Sequence, residues 1–213
     1  MLDTILFDLD GTLIDTMDLI VACWQHATGL HCGAAISRED VLPTIGLPLL
    51  AALEAYAPGN GDALYAAYQQ HNAVWHDKMA LLVPGTVEML ARLRGAGVRT
   101  GLVTSKRHES LRRGLDLYAL APYLDAVIGF EDSARHKPNP DPILAALERL
   151  GRSPDRASVA YIGDAVSDIE CALAAGVRAV GVPWGAATPA ALLAAGAEPV
   201  LGDWEELIAL AGR

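Results

Sequence analysis

From residue 86 onward the chain alternates short apolar runs with helix-length amphipathic stretches, an order that few architectures accept. The spacing predicts helices over 86–95, 108–117, 142–150 and 168–175, and strands over 99–103, 126–129, 159–162 and 179–182. Runs that are apolar throughout belong to strands covered on both faces, and a helix between each pair calls for parallel pairing with right-handed crossovers. Thr4-Ile5-Leu6 reads as one more such strand at the start. The expected fold is therefore α/β: a doubly wound, Rossmann-type parallel sheet. A last short strand over 199–201, a helix over 203–210 and an Ala-rich helix within 186–197 complete it.

The stretch 15–82 does not fit that alternation. After Asp15-Thr16, Leu19, Ile20, Cys23, Trp24, Ala27 and Leu30 recur at helical spacing, with an end near Gly29 or Gly33. Ser37-Arg38-Glu39-Asp40 is a capping pattern, Ile45-Gly46-Leu47-Pro48 is a break, and helices follow over 49–57 and 62–78. No strand-like alternation occurs between 16 and 80, and the segment is far longer than an ordinary loop between a strand and its crossover helix. It reads as an inserted helical cap, 15–82, in a core built from 1–14 and 83–213.

Ligands of open parallel sheets sit beyond the carboxyl ends of the strands, so the polar residues at those ends matter most. The first strand runs into Asp8-Leu9-Asp10-Gly11-Thr12. Side chains two apart on extended backbone point the same way, which sets Asp8 beside Asp10 with Leu9 directed inward. Neither acid has a neighbouring cation in sequence, so their repulsion calls for a shared proton or a metal ion. An isolated Asp-Gly is ordinarily only a tight turn, but a doubled acid is more than a turn needs. The strand ending at Val103 delivers Thr104 and Ser105, either of which could instead cap the next helix. The strand ending at Ile162 delivers Asp164 and then Asp168, the latter inside a helix start where Ser167 and Glu170 suggest a capping box. Lys137 arrives in the proline-broken run His136-Lys137-Pro138-Asn139-Pro140, where a lone lysine is usually solvated.

Convergence of these groups on one sheet edge points to phosphoryl transfer. Three or four acids (Asp8, Asp10, Asp164, Asp168) are what a Mg²⁺ ion wants around it, with Asp168 either ligating or orienting. In this reading Asp8 attacks phosphorus to give an aspartyl-phosphate, and Asp10 serves the leaving oxygen and the hydrolytic water. Thr104 donates to a phosphoryl oxygen and Lys137 neutralises charge. Leu9, Gly11, Thr12, Ser105 and Lys106 are the candidates for the rest of the phosphate cradle.

Composition narrows the partners. A formal net charge of −10 over 213 residues argues against a nucleic-acid backbone or an anionic membrane, so a phosphate must be met locally. No apolar run approaches a bilayer span, and Met1 is followed almost at once by Asp3 with no leader-like pattern. Cys23, Cys32 and Cys171 form no metal or disulfide spacing, consistent with reduced thiols. The expectation is a cytoplasmic protein, monomer or homodimer, acting on a small phosphorylated metabolite.

Asp8-Leu9-Asp10-Gly11-Thr12, Val103-Thr104-Ser105, Lys137-Pro138 and Gly163-Asp164-Ala165-Val166-Ser167-Asp168, in that order, resemble the four motifs of the haloacid dehalogenase superfamily. The insertion, with Ile45-Gly46-Leu47-Pro48 inside it and Pro84-Gly85 at its return, resembles the helical cap of the phosphoglycolate phosphatase-like branch. Within it, residues 3–14 and 38–46 look most like PpaX-type pyrophosphatases. The resemblance implies a Mg²⁺-dependent phosphatase. True dehalogenases of the family lack the second acid, so Asp10 favours phosphoryl transfer. Residues 17–20, Met-Asp-Leu-Ile, lack the histidine of β-phosphoglucomutases, the alternative phosphotransferase reading. Phosphonatases use a cap lysine as a Schiff base, whereas here Lys78 lies at the return of the insertion. Ala165, where relatives often carry Ser or Asn, should leave the metal untouched. A receiver-like phosphate-binding module shares the fold logic but needs neither the insertion nor the second acid. Between 16 and 80 the fixed cations are Arg38 and Lys78, and a strongly anionic leaving group would want more positive charge, with Lys106, Arg107 and His108 the other sources.

Overall fold

The computed structural model describes residues 2–151 and 156–212. Its five-stranded sheet is built from β1 (Thr4–Phe7), β4 (Arg99–Val103), β5 (Ala126–Ile128), β6 (Val159–Gly163) and β7 (Arg178–Gly181) in the order β5-β4-β1-β6-β7. Every pair is parallel, with Phe7 level with Leu102 on one side and Ile162 on the other. β1 is central because it is apolar on both faces: Ile5 and Phe7 pack into one hydrophobic cluster and Leu6 into the other. Helices α5 (Thr86–Gly95), α6 (His108–Leu117), α7 (Asp141–Arg149), α8 (Val166–Ala175) and α10 (Trp204–Leu210) cover the two faces. Strand order reverses at β1, with β4 and β5 on one side and β6 and β7 on the other, which opens a crevice at the carboxyl end of β1.

The segment between the first strand and its crossover holds α1 (Met17–His31), α2 (Arg38–Val41), α3 (Leu49–Tyr56) and α4 (Gly61–Met79). Helix α1 packs along α4 with Leu19, Trp24 and Ala27 buried, and continues through Gly29 to His31. Ser37 caps α2 as its position suggests, its hydroxyl accepting from Asp40 N at 3.1 Å.

Two expectations are corrected. A two-stranded antiparallel ribbon, β2 (Ile14–Asp15) with β3 (Leu81–Leu82), closes the base of the helical insertion where no strand was expected. Two residues per strand are too few to show a period of two. The expected strand over 199–201 is reduced to one bridge, Gly181 with Val200, flanked by Gly181 N to Pro199 O and Leu201 N to Gly181 O, each 2.9 Å. Pro199 has no N–H with which to extend a ladder. The Ala-rich helix expected within 186–197 is present as α9 (Pro189–Ala194), started by the Thr188 hydroxyl accepting from Ala191 N. Among the described residues no helix is long and apolar enough to cross a membrane.

Candidate active site

Parallel register delivers the site. Asp8 is the first residue past β1, Thr104 the first past β4 and Asp164 the first past β6, so all three leave the sheet at the same edge. Lys137 reaches them from the proline-broken loop before α7: its Nζ lies 2.9 Å from Asp8 Oδ1 and 2.6 Å from Asp168 Oδ1. All are buried, Lys137 to 2% exposure and Asp164 and Asp168 to 0%. The lysine is thus not the solvated group its isolated position suggests.

Asp8, Asp164 and Asp168 each offer a carboxylate oxygen within 4.8 Å of the others. Three buried carboxylates against one ammonium leave a surplus of negative charge, and the titrations reflect it. Burial pushes the Asp8 carboxyl up to about 7 against the pull of Lys137, with Asp168 and Asp10 adding to the rise. Burial, then Asp168 and Asp8, hold Asp164 well above the usual carboxylate range despite donors from Ala186 N and Thr12. Burial works against the Lys137 ammonium, but Asp168 and Asp8 outweigh it and raise its pKa. A hard divalent cation with oxygen preference would remove the surplus, so the donor set fits one.

The three acids are not equally available to a cation. Asp168 Oδ1 accepts from Lys137 and, at 3.2 Å, from the Tyr161 hydroxyl, while Oδ2 accepts from Ala165 N at 3.0 Å. The Ser167–Glu170 capping box is corrected here: α8 begins at Val166, and Asp168 itself reaches back to the N–H of the residue before it. Asp164 accepts from the Thr12 hydroxyl at 3.0 Å and from Ala186 N at 2.7 Å. Two or more acceptor sites remain on Asp8 and on Asp164, fewer on Asp168.

Asp10 lies outside this trio. Its Oδ1 accepts from Lys106 Nζ at 2.6 Å and from the Thr16 hydroxyl at 2.8 Å, and with Asp8 it lines the adjoining cavity. Thr16 therefore serves the site rather than the helix start, where its side chain makes no cap hydrogen bond. Leu9 is fully buried, its carbonyl gathering Leu13 N and Ile14 N at 3.0 Å, and Gly11 turns the chain at φ +78. A side chain at Gly11 would run into Asp164, which explains the glycine. The backbone N–H of Lys106 donates to Thr104 Oγ1 at 3.3 Å.

The sequence reading passed over the loop after β7. Trp184 Nε1 donates to Thr12 O at 3.1 Å, Ala186 N holds Asp164, and a Cβ on Gly185 would overlap the Asp164 carboxylate. Its place beyond a strand's carboxyl end was the available signal.

A cavity of about 480 Å³ extends from Asp8 and Asp10 up into the helical insertion. The loop around Gly46 lines it, and the Gly46 carbonyl accepts from the Ser105 hydroxyl at 2.6 Å. Ser105 thus holds the insertion against the sheet edge. Gly46 has φ +90, and a Cβ there would lie 2.5 Å from Ser167 Oγ and 3.0 Å from Ala165 Cβ. Gly46→Ala is expected to lower kcat/KM at least about tenfold by obstructing this contact, with stability falling by only about 1 kcal/mol. Steady-state kinetics beside thermal unfolding checks both halves of that expectation.

The profile of the "Haloacid dehalogenase-like hydrolase" family matches residues 5–182. A protein of Caldanaerobacter subterraneus subsp. tengcongensis named for the pyrophosphatase PpaX is 42% identical over 180 residues, covering 84% of this chain and 81% of that one. The pyrophosphatase PpaX of Bacillus pumilus is 33% identical over 211 residues, covering 99% and 97%. Among solved structures, a haloacid dehalogenase-like hydrolase from Bacteroides fragilis superimposes with a TM-score of 0.88 at 27% identity, over 97% of this chain and 100% of that one. One from Lactobacillus plantarum, named for phosphoglycolate phosphatase, gives 0.86 at 25% identity over 98% and 99%.

Proposed function

This chain belongs to the haloacid dehalogenase-like hydrolases and is a phosphatase among them, and on that footing we propose that it hydrolyses a small phosphorylated metabolite through an aspartyl-phosphate on Asp8. The observation that carries the reading is Lys137 bridging Asp8 and Asp168 inside a buried trio of acids that opens on a cavity.

Asp8 and Asp164 would hold Mg²⁺, with Asp168 orienting Lys137 from behind. When bound, that ion supplies the charge compensation that lets an anionic carboxylate approach an anionic phosphoryl group. Asp8 forms the new bond to phosphorus as the bond to the leaving oxygen breaks. Both hydrogen bonds to Asp10 go to Oδ1, which leaves Oδ2 as the atom through which Asp10 would pass a proton to the leaving oxygen. Water then attacks the phosphorus, returns its proton to Asp10, and frees Asp8 and inorganic phosphate. Thr104 and the backbone around Leu9, Asp10 and Gly11 hold the phosphoryl oxygens. The insertion, 15–82, acts as a cap that excludes water when Gly46 meets Ser105. The pyrophosphatase and phosphoglycolate phosphatase names among the relatives make inorganic pyrophosphate and phosphoglycolate the first substrates to assay. Unpaired Cys23, Cys32 and Cys171 accord with a cytoplasmic setting.

The test is metal dependence. Chelator-treated protein should turn over p-nitrophenyl phosphate only after Mg²⁺ is restored. At about a hundredfold excess over Kd, Mg²⁺ should add about 3 kcal/mol of stability, roughly 5–10 °C in Tm. Asp164→Asn should abolish the Tm rise. Undiminished turnover in chelator would contradict the reading.

A further inference from the structure

We infer that the leaving group this phosphatase accepts is an uncharged, apolar or aromatic alcohol rather than a second phosphate or a carboxylate. The inference rests on the aspartyl-phosphate reading and assigns the far end of the same cavity.

The wall contributed by the helical insertion is built from Leu19, Ile20, Trp24, Leu49, Tyr65 and Tyr68. Its neutral polar groups include Thr44, Asn72 and Gln69, whose Nε2 donates to Tyr65 Oη at 2.7 Å. The two fixed cations of the insertion stand elsewhere: Arg38 pairs with Asp18 at 2.6 Å on the surface, and Lys78 Nζ lies 4.8 Å over the Trp75 ring. The charged group that the insertion does bring to the cavity is an acid, Glu54, held by Gly59 N at 2.7 Å and Gly61 N at 2.9 Å.

The sheet side offers little more. Lys106 is engaged by Asp10, the Arg107 guanidinium lies 5.2 Å over the Phe130 ring, and His136 stacks on that same ring at 4.1 Å. His108, the third candidate cation, pairs with Asp132 at 2.9 Å and does not line the cavity. A second phosphoryl or a carboxylate pressed against the insertion's wall would lose hydration with no cation on that wall to replace it, Arg107 being a guanidinium of the sheet side. An apolar group loses nothing there and gains by burial. At about 480 Å³ the cavity is also in the range of pockets that enclose organic ligands.

The experiment compares two non-hydrolysable probes by calorimetry on the Mg²⁺-loaded protein: benzylphosphonate, and methylenediphosphonate as the pyrophosphate mimic, with Mg²⁺ in excess. Benzylphosphonate should bind at least tenfold more tightly, and a smaller or reversed preference would overturn the inference while leaving the phosphatase reading intact. Gln69→Lys, which places a cation on the apolar wall, should narrow the ratio at least threefold, and an unchanged ratio would count against this wall as the leaving-group site. Binding of neither probe would overturn this inference, while Mg²⁺-dependent turnover of p-nitrophenyl phosphate decides the phosphatase reading separately.

Discussion

Asp8→Asn is expected to abolish turnover, by a factor of about 10⁴ or more, while leaving a folded protein. The amide keeps the shape of the carboxylate but cannot form the acyl-phosphate. Folding should survive because Lys137 keeps its closer partner, Asp168 at 2.6 Å, and because removal of one of three clustered acids reduces their repulsion. Circular dichroism and Tm in chelator should therefore stay near the wild-type values. Loss of the fold along with activity would show that Asp8 is structural first.

Lys137→Met should have the largest effect on stability. The ammonium is the positive charge buried between Asp8 and Asp168, and methionine has nearly its length but no charge. Breaking a buried pair from one side leaves uncompensated charge and costs about 3–5 kcal/mol. For a chain of this size that corresponds to a fall in Tm of roughly 6–20 °C in chelator. The double variant Lys137→Met with Asp168→Asn should recover part of the loss, because the stranded acid is then gone. Urea denaturation of the single and double variants measures this, and a single variant as stable as the wild type would rule out the ion-pair account. Activity should fall in both.

These effects concentrate where sequence was most informative. The sheet was legible because its strands are short apolar runs bounded by turn residues, and the acids were legible because charge directly after such runs has no helix yet to cap. Lys137 could be placed only through co-location, since a lysine among prolines carries no signal of burial. What could not be read depends on backbone or on very short elements. The Ile14–Asp15 and Leu81–Leu82 strands show no period, and the Ala186 N–H that holds Asp164 belongs to no side chain. Gly185 matters for what it lacks. Thr16 was read as part of a helix start because sequence shows neighbours along the chain, whereas Asp10 reaches it through space. The apolar wall facing the site was equally hidden, because residues such as Ile20 and Leu49 look like ordinary core until the cavity between them is seen.

The most direct test of the account is to find the phosphoryl group on the enzyme. Protein mixed with a ³²P-labelled phosphate ester and Mg²⁺, quenched in acid within milliseconds and reduced with borohydride, should yield homoserine at position 8, with the label lost from that peptide on reduction. Label on any other residue, or none at a time when single-turnover product is forming at full rate, would contradict it.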